Sequence, residues 1–209
     1  MGFANTPLLL ALWTLYLSIV TVGQTWYAFG WESQLLETGF LAAFLCPLLD
    51  PRPFPRTAPA PPAIWVQRWL VFRIMLGAGL IKVRGDACWR DLSCLCFHYE
   101  TQPLPNPLSP YLHFLPSWFH GLGCAFNHFV ELGAPFFLLG PPAMRRAAGA
   151  LFLIFQAMLI ASGNLSFLNW LTIVPALACL DDAVWARLVP ARLAARAERA
   201  AAAAVPSRT

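Results

Sequence analysis

Charge is the scarcest property of this sequence. Only 11% of its 209 residues are Asp, Glu, Lys or Arg, and Lys82 is the one lysine. A soluble domain carries about 25% charged residues to keep its surface in water, so the composition argues against a soluble fold. The net charge of +4 comes from scattered arginines. They make no basic face interleaved with aromatics, which argues against nucleic acid as a partner. The usual catalytic signatures are missing as well. The chain has no G-x-S-x-G elbow, no H-E-x-x-H and no C-x-x-C. Cys94 and Cys96 form C-x-C, and the four His lie 15, 7 and 8 residues apart. Neither pattern matches a structural zinc site, so no metal or other cofactor is expected. No internal repeat is visible, which removes the paired broken helices of many transporters. Met1 to Thr6 holds no Lys or Arg and no clear cleavage site follows, so no cleavable signal peptide is expected. The abrupt apolar opening and the alanine-rich end read as a shortened or partial chain.

Apolar residues fill the space that charge leaves. They make up 58% of the chain, with nine Trp among 14% aromatics and a mean hydropathy of +0.59. This is the composition of an integral membrane protein with aromatic interfacial belts. The expected fold is all-α, a polytopic transmembrane helix bundle of about five or six membrane segments with a Pro-rich luminal segment between helices. The apolar runs are Pro7–Val22, Gln34–Leu49, Ile64–Ile81, Phe126–Gly140, Arg146–Ser162 and Trp170–Leu180. Gly23–Ser33 is aromatic and polar, hence interfacial. Asp50–Ala63 is dense in proline and reads as a stiff, extended connector. The membrane domain is expected over 7–182, with a luminal segment at about 84–125. Residues 183–209 read as a polar Ala/Arg-rich tail, either helical or disordered, with little apolar surface to dock.

Polar groups within the runs need partners, because hydrocarbon offers none. Glu32 and Glu37 read either as a polar site inside the bundle or, as is preferred, as interfacial acids paired with an arginine. Arg68 lies near a run's end and can snorkel. Arg73 is deeper and calls for an acid such as Glu37 or Glu131. Asn127, His128 and Glu131 fall on one helix face by their spacing of three and four. Gly77-Ala78-Gly79 offers a small face for close helix packing.

The segment from Lys82 to Glu131 gathers all four His, four of the six Cys and four of the ten acids. Its prolines forbid a long uninterrupted helix between Gln102 and Pro116. Cys88 pairs sterically with Cys94 or Cys96, Cys124 is within reach of any of them, and one structural disulfide is the expectation. Cys46 and Cys179 read as small apolar packing residues. Asp86, Asp91, His98 and Glu100 are candidates for acid–base work. The structural alternative, in which they bond to each other and to broken backbone beside Trp89 and Arg90, is preferred. In His98–Pro107, Tyr99, Gln102 and Asn106 offer neutral hydrogen-bonding groups on a backbone that Pro103, Pro105 and Pro107 hold extended. Such a run serves either as a rim facing another polypeptide or as a lid over the bundle.

Arginine placement orients the chain. Arg52 and Arg56 share one loop, Arg145 and Arg146 another, and Arg187, Arg192, Arg196 and Arg199 follow the last run. Six alternating segments put all three on one side, which the positive-inside rule makes cytosolic. The central segment then faces the opposite, luminal side together with Gly23–Ser33 and Gly163–Asn169, whose Asn164-Leu165-Ser166 matches a glycosylation sequon that lies too close to the membrane for occupancy to be expected.

The stretches RGDACWRDLSCLCFHYETQPLPNPLSPYLH, NHFVEL and SGNLSFLNWLTIVPALACLDD resemble the lipase maturation factor family of endoplasmic-reticulum membrane proteins. So do GQTWYAFGWESQLLETGFLAAFLCPL and RWLVFRIMLGAGLIKVRGD. The likeness covers about Leu8 to Asp182, is closer to the first vertebrate paralogue, and departs from the family pattern at Cys96, Gly123 and Cys124. The resemblance implies a non-enzymatic, chaperone-like factor of the endoplasmic-reticulum membrane. Its partners would be secreted homodimeric lipases in the lumen, the lipid bilayer, and endoplasmic-reticulum chaperones or oxidoreductases. Lipase-facing candidates on that reading are Arg84, Asp86, Trp89, Arg90, Asp91, His98, Tyr99, Glu100, Gln102 and Asn106. Glu37, Arg73, Asn127, His128 and Glu131 are structural polar groups. Cys88, Cys94, Cys96 and Cys124 are the disulfide candidates. A membrane redox enzyme acting on luminal thiols is the alternative.

Overall fold

The computed structural model describes residues 5–50, 52, 55, 57–102, 104 and 106–203. Pro103, Pro105 and Arg56 lie outside the described residues. All regular structure among the described residues is helical. Eleven α-helices run α1 Thr6–Gly23, α2 Gly30–Ala43, α3 Pro61–Arg84, α4 Ala87–Arg90, α5 Leu95–His98, α6 Ser109–His113, α7 Ser117–His128, α8 Pro142–Ser162, α9 Leu168–Ala176, α10 Asp182–Leu188 and α11 Ala191–Ala202. Four helical stretches are long and apolar enough to cross a membrane: Thr6–Tyr27, Pro61–Arg84, Ser117–Leu139 and Pro142–Ser162. Leu168–Cys179 is a shorter apolar helix. The chain is thus a multi-pass membrane protein.

The chain divides into two compact units, one of 1–68 with 180–209 and one of 69–179. In the first, α1 and α2 form an antiparallel hairpin. Asn5 caps α1, its side chain accepting from the Leu8 amide at 3.0 Å, and Pro7 sits where its missing N–H costs nothing. The Trp13 indole donates to the Leu36 carbonyl at 2.9 Å and stacks obliquely on Phe40. The Thr6 hydroxyl reaches the Ala43 and Cys46 carbonyls at 3.1 Å. The Thr6 amide donates to the Pro47 carbonyl at 3.1 Å. The hairpin therefore returns the chain to the level where it began. It does so with only 14 helical residues in α2, about 21 Å of helix, because turns over residues 44–47 complete the return. The second helix also starts earlier than the run at Gln34, taking in Gly30–Ser33.

Glu32 corrects one expectation. It is buried, but its described partners are the Tyr16 hydroxyl and the Trp31 indole at 3.1 Å. Two neutral aromatic donors, which bury readily because their rings are apolar, take the place of the expected arginine. In the tail, the Asp181 side chain caps α10 by accepting from the Val184 amide.

In the second unit the core is built from α3, the end of α7 with its continuation, α8 and α9. Val71, Phe72, Met75, Val130, Ala134, Leu138, Ala148, Phe152, Phe155, Ala176 and Cys179 form one buried cluster. Of the two glycines in the small Gly77-Ala78-Gly79 face, Gly79 makes the close approach. A Cβ there would lie 2.6 Å from Leu132 Cδ2 and 3.0 Å from Glu131 Cβ, whereas Gly77 faces nothing within 4 Å. The fourth run begins at Ser117 rather than Phe126, just after Pro116 in extended conformation. Beyond His128 the helix widens to a π turn over Phe129–Gly133 and tightens to 3-10 over Ala134–Leu139. Pro135 is the cause: it lacks the N–H that would bond the Glu131 carbonyl. The change of winding falls at the one acid in this helix.

Candidate functional site

The central segment is anchored to the bundle at three places, and each uses side chains to satisfy groups the backbone leaves open. The first anchor is the end of α3. Lys82 Nζ reaches Glu131 Oε1 at 2.6 Å and Asn127 Oδ1 at 3.0 Å. The Trp89 ring lies 5.0 Å and the Phe155 ring 6.0 Å from the same ammonium. Glu131 and Asn127 are buried, so the carboxylate needs its cation. The partner expected for it was Arg73; the ion pair is instead made by Lys82. Arg73 and Glu37 each have interactions of their own.

The second anchor is a knot over residues 85–98. Asp86 Oδ1 caps α4 through the Cys88 amide at 2.9 Å. Arg90 turns back and donates to the Val83 and Gly85 carbonyls at 3.0 and 3.3 Å, covering the open end of α3 where a cation is favoured. Leu92 adopts a left-handed conformation, φ 61°, and Asp91 holds the turn by accepting from the Ser93 hydroxyl at 2.6 Å. Cys88 and Cys94 are joined by a disulfide, with Cα atoms 4.6 Å apart. Cys96 and the buried Cys124 are free thiols. His128 Nε2 donates to the Trp89 carbonyl at 2.8 Å, tying the knot to α7.

The third anchor is the end of α8. Asn106 Nδ2 donates to the Ile160 and Gly163 carbonyls at 3.2 and 3.1 Å. The Ser109 hydroxyl reaches the Ser162 carbonyl at 3.1 Å, and Gln102 reaches it at 3.4 Å. A helix end leaves four carbonyls open, and here a distant loop closes two of them, Ile160 and Ser162, together with that of the cap residue Gly163. Gln102 Nε2 also faces His98 Nε2 at 3.3 Å. An amide nitrogen can only donate, so His98 accepts there and is neutral. Burial, and then the nearby Lys82 charge, hold its pKa below the ordinary value. Tyr99 is buried beside His120, and burial raises its pKa, with a smaller contribution from Cys124.

The candidate residues thus separate into two sets. Arg84, Asp86, Arg90, Asp91 and Glu100 are exposed. Tyr99, Gln102, Asn106 and His98 point into the unit, and Trp89 lies over Lys82. Of the groups named from sequence, Asn127, Glu131 and His128 do come together, with Lys82 and Trp89. Sequence reasoning missed Lys82, Ser109 and His120, whose Nε2 donates to the His113 carbonyl at 3.2 Å. One signal was available: a single lysine at the end of an apolar run. Its partners 45 and 49 positions away carry no local pattern that links them to it.

Among the described residues no group of three or more His, Cys, Asp or Glu could hold a metal ion. Two pockets among the described residues hold about 210 and 250 Å³, below the ~300–1,000 Å³ of ordinary ligand sites. What the geometry offers is a braced, charged surface.

Residues 1–187 match the family model described as "Lipase maturation factor transmembrane domain". The chain is 61% identical over 194 residues to lipase maturation factor 1 of Homo sapiens, covering 90% of this chain and 34% of that protein. It is 60% identical over 190 residues to lipase maturation factor 1 of Bos taurus, covering 90% of this chain and 34% of that protein. Against lipase maturation factor 2 of Homo sapiens the identity is 37% over 187 residues, covering 83% of this chain and 26% of that protein. The chain therefore stands nearer the first paralogue than the second, and it spans about a third of the length of these lipase maturation factor 1 relatives. No solved structure matches it. The family model over residues 1–187 and the identity to these relatives show that this chain belongs to the lipase maturation factor family.

Proposed function

We propose that this chain is a membrane factor of the endoplasmic reticulum that assists folding, assembly and maturation of homodimeric secreted lipases such as lipoprotein lipase and hepatic lipase. It acts as a binding surface and not as an enzyme. The membrane domain takes in 7–182, and the knot faces the lumen. The observation that carries this reading is the set of exposed charges Arg84, Asp86, Arg90, Asp91 and Glu100 on a scaffold held by a disulfide and three anchors. Both signs are present, on a backbone that loses little freedom on binding, which suits recognition of a folding polypeptide. Trp89, His98, Tyr99, Gln102 and Asn106 then act by holding that surface in shape. Luminal chaperones or oxidoreductases are the further partners.

The test is co-expression with lipoprotein lipase in cells lacking the endogenous factor, reading secreted lipase activity and lipase capture together. Capture that is lost in an Arg84→Ala/Glu100→Ala variant of unchanged abundance is the expected result. Neither capture nor rescue by the well-expressed chain would sink the reading.

One observation favours a second reading, exchange with luminal thiols: the free Cys96 lies two residues beyond the Cys88–Cys94 disulfide. Cys96→Ser would then abolish rescue without changing abundance, whereas on the binding reading rescue survives it.

A further inference from the structure

The second half of the central segment is built inside out for a water-facing loop. From Thr101 to Val130 the sequence has no Asp, Glu, Lys or Arg, a stretch of 30 residues. Several of its polar side chains are turned inward: Asn106 and Ser109 bond the end of α8, and Ser109 and His120 are 1% and 2% exposed. Its large apolar side chains are turned outward: Leu108, Tyr111, Phe114 and Trp118 are 50%, 76%, 84% and 66% exposed. A water-facing surface would reverse this arrangement, and contiguous exposed apolar patches mark a contact with something apolar.

The patch runs on into a membrane-crossing stretch. Trp118 opens the span Ser117–Leu139, and Leu122, Phe129 and Phe136 continue exposed along it. The backbone is also adapted to a poor hydrogen-bonding medium, which demands that amides be satisfied internally. Pro107, Pro110 and Pro116 have no amide hydrogen to satisfy. The Asn106 amide donates to Ser109 Oγ and the Leu108 amide to Asn106 Oδ1. The Leu112 and Leu115 amides donate to the Leu108 and Leu112 carbonyls. Tyr111 and Trp118, on either side of Phe114, are of the residue types that membrane interfaces favour.

We propose that Leu108–Pro116 is a non-spanning membrane element: α6 and its flanks seat in the bilayer leaflet at the α8–α9-turn end of the unit, with Tyr111 and Trp118 at headgroup level and Leu108 and Phe114 against the acyl chains. The occupant of the patch is phospholipid. The knot over 85–98, which carries the charges, then stands at the membrane surface with its footing fixed by α6. This inference does not depend on which polypeptide the chain serves.

The experiment uses the unaltered chain in phosphatidylcholine proteoliposomes containing a phospholipid with a diazirine on its acyl chain. After photolysis, labelled peptides are mapped by mass spectrometry, with hydroxyl-radical footprinting of the same sample as the aqueous counterpart. Labelling of 108–116 should match that of the exposed α8 positions Ile154 and Met158 and exceed that of 84–100 several-fold, with the footprinting order reversed. Labelling of 108–116 no greater than that of 84–100 would overturn the proposal. So would poor labelling combined with copy-to-copy crosslinks through a Tyr111→Cys variant, which would make a second copy the occupant.

Discussion

Replacing Lys82 with methionine tests the central electrostatic argument. The substitution keeps the length and apolar stem of the side chain and removes only the charge. Glu131 is then left with a side chain 4% exposed, having lost the 2.6 Å contact to Oε1, while Oε2 has no hydrogen-bond partner even in the intact chain. Breaking one half of a buried ion pair costs about 3–5 kcal/mol. For a chain of this size that corresponds to a fall in melting temperature of roughly 6–20 °C at about 2–4 °C per kcal/mol. The reverse substitution, Glu131→Gln, should cost less. The Lys82 side chain is 24% exposed and can turn its ammonium toward water along its flexible stem. The double variant Lys82→Met/Glu131→Gln should recover most of the loss, because no uncompensated charge remains. Melting of the purified chain in one detergent, for the wild type and all three variants, reads the cycle. A Lys82→Met variant within about 0.5 kcal/mol of wild type, or a double variant no more stable than Lys82→Met, would refute the reasoning.

Four further outcomes follow from the same geometry. Gly79→Leu should destabilise by about 1–3 kcal/mol through overpacking, since a Cβ already meets Leu132 and Glu131; Gly77→Leu, facing open space, should be nearly neutral in the same melt. Asn106→Ala should cost about 1–3 kcal/mol for two orphaned carbonyls and raise amide exchange in the 100–110 region ahead of global unfolding. Cys88→Ala should lower stability by about 2 kcal/mol on chain-entropy grounds for so short a loop, and reductant should lower the melting temperature of wild type but not of the variant. His98 has a pKa held below that of the unfolded chain, so the unfolded state takes up the proton first as pH falls. Its contribution is intact above about 6.5, the ordinary histidine value, and is lost progressively as pH drops below it toward the folded pKa; melts between neutral and mildly acidic pH should show a shallower fall in His98→Gln than in wild type.

What the sequence determined by itself is the part of the fold that depends on solvent. Scarce charge and long apolar runs leave helices as the available solution, because hydrocarbon satisfies no backbone group. The runs at Pro7, Ile64 and Arg146 lie where α1, α3 and α8 form. The cluster of Cys, His and acids marked the segment that departs from simple helix. The family likeness was legible for a similar reason: CWRDL and FHYET serve a local knot, whose caps, turn and disulfide lie within a few residues of one another. Tertiary structure decided the pairings across distance. Lys82 with Glu131 and Asn106 with the end of α8 each depend on which surfaces meet. The same holds for the orientation of Asn106, Tyr99 and Gln102, which read from sequence either as a rim facing another polypeptide or as a lid over the bundle, and which the structure turns inward. Periodicity reports which face of an element is apolar, but a proline-broken segment has no period. There the direction of each side chain follows from the open carbonyls and buried charges of helices far along the chain, which only the packed structure brings within reach.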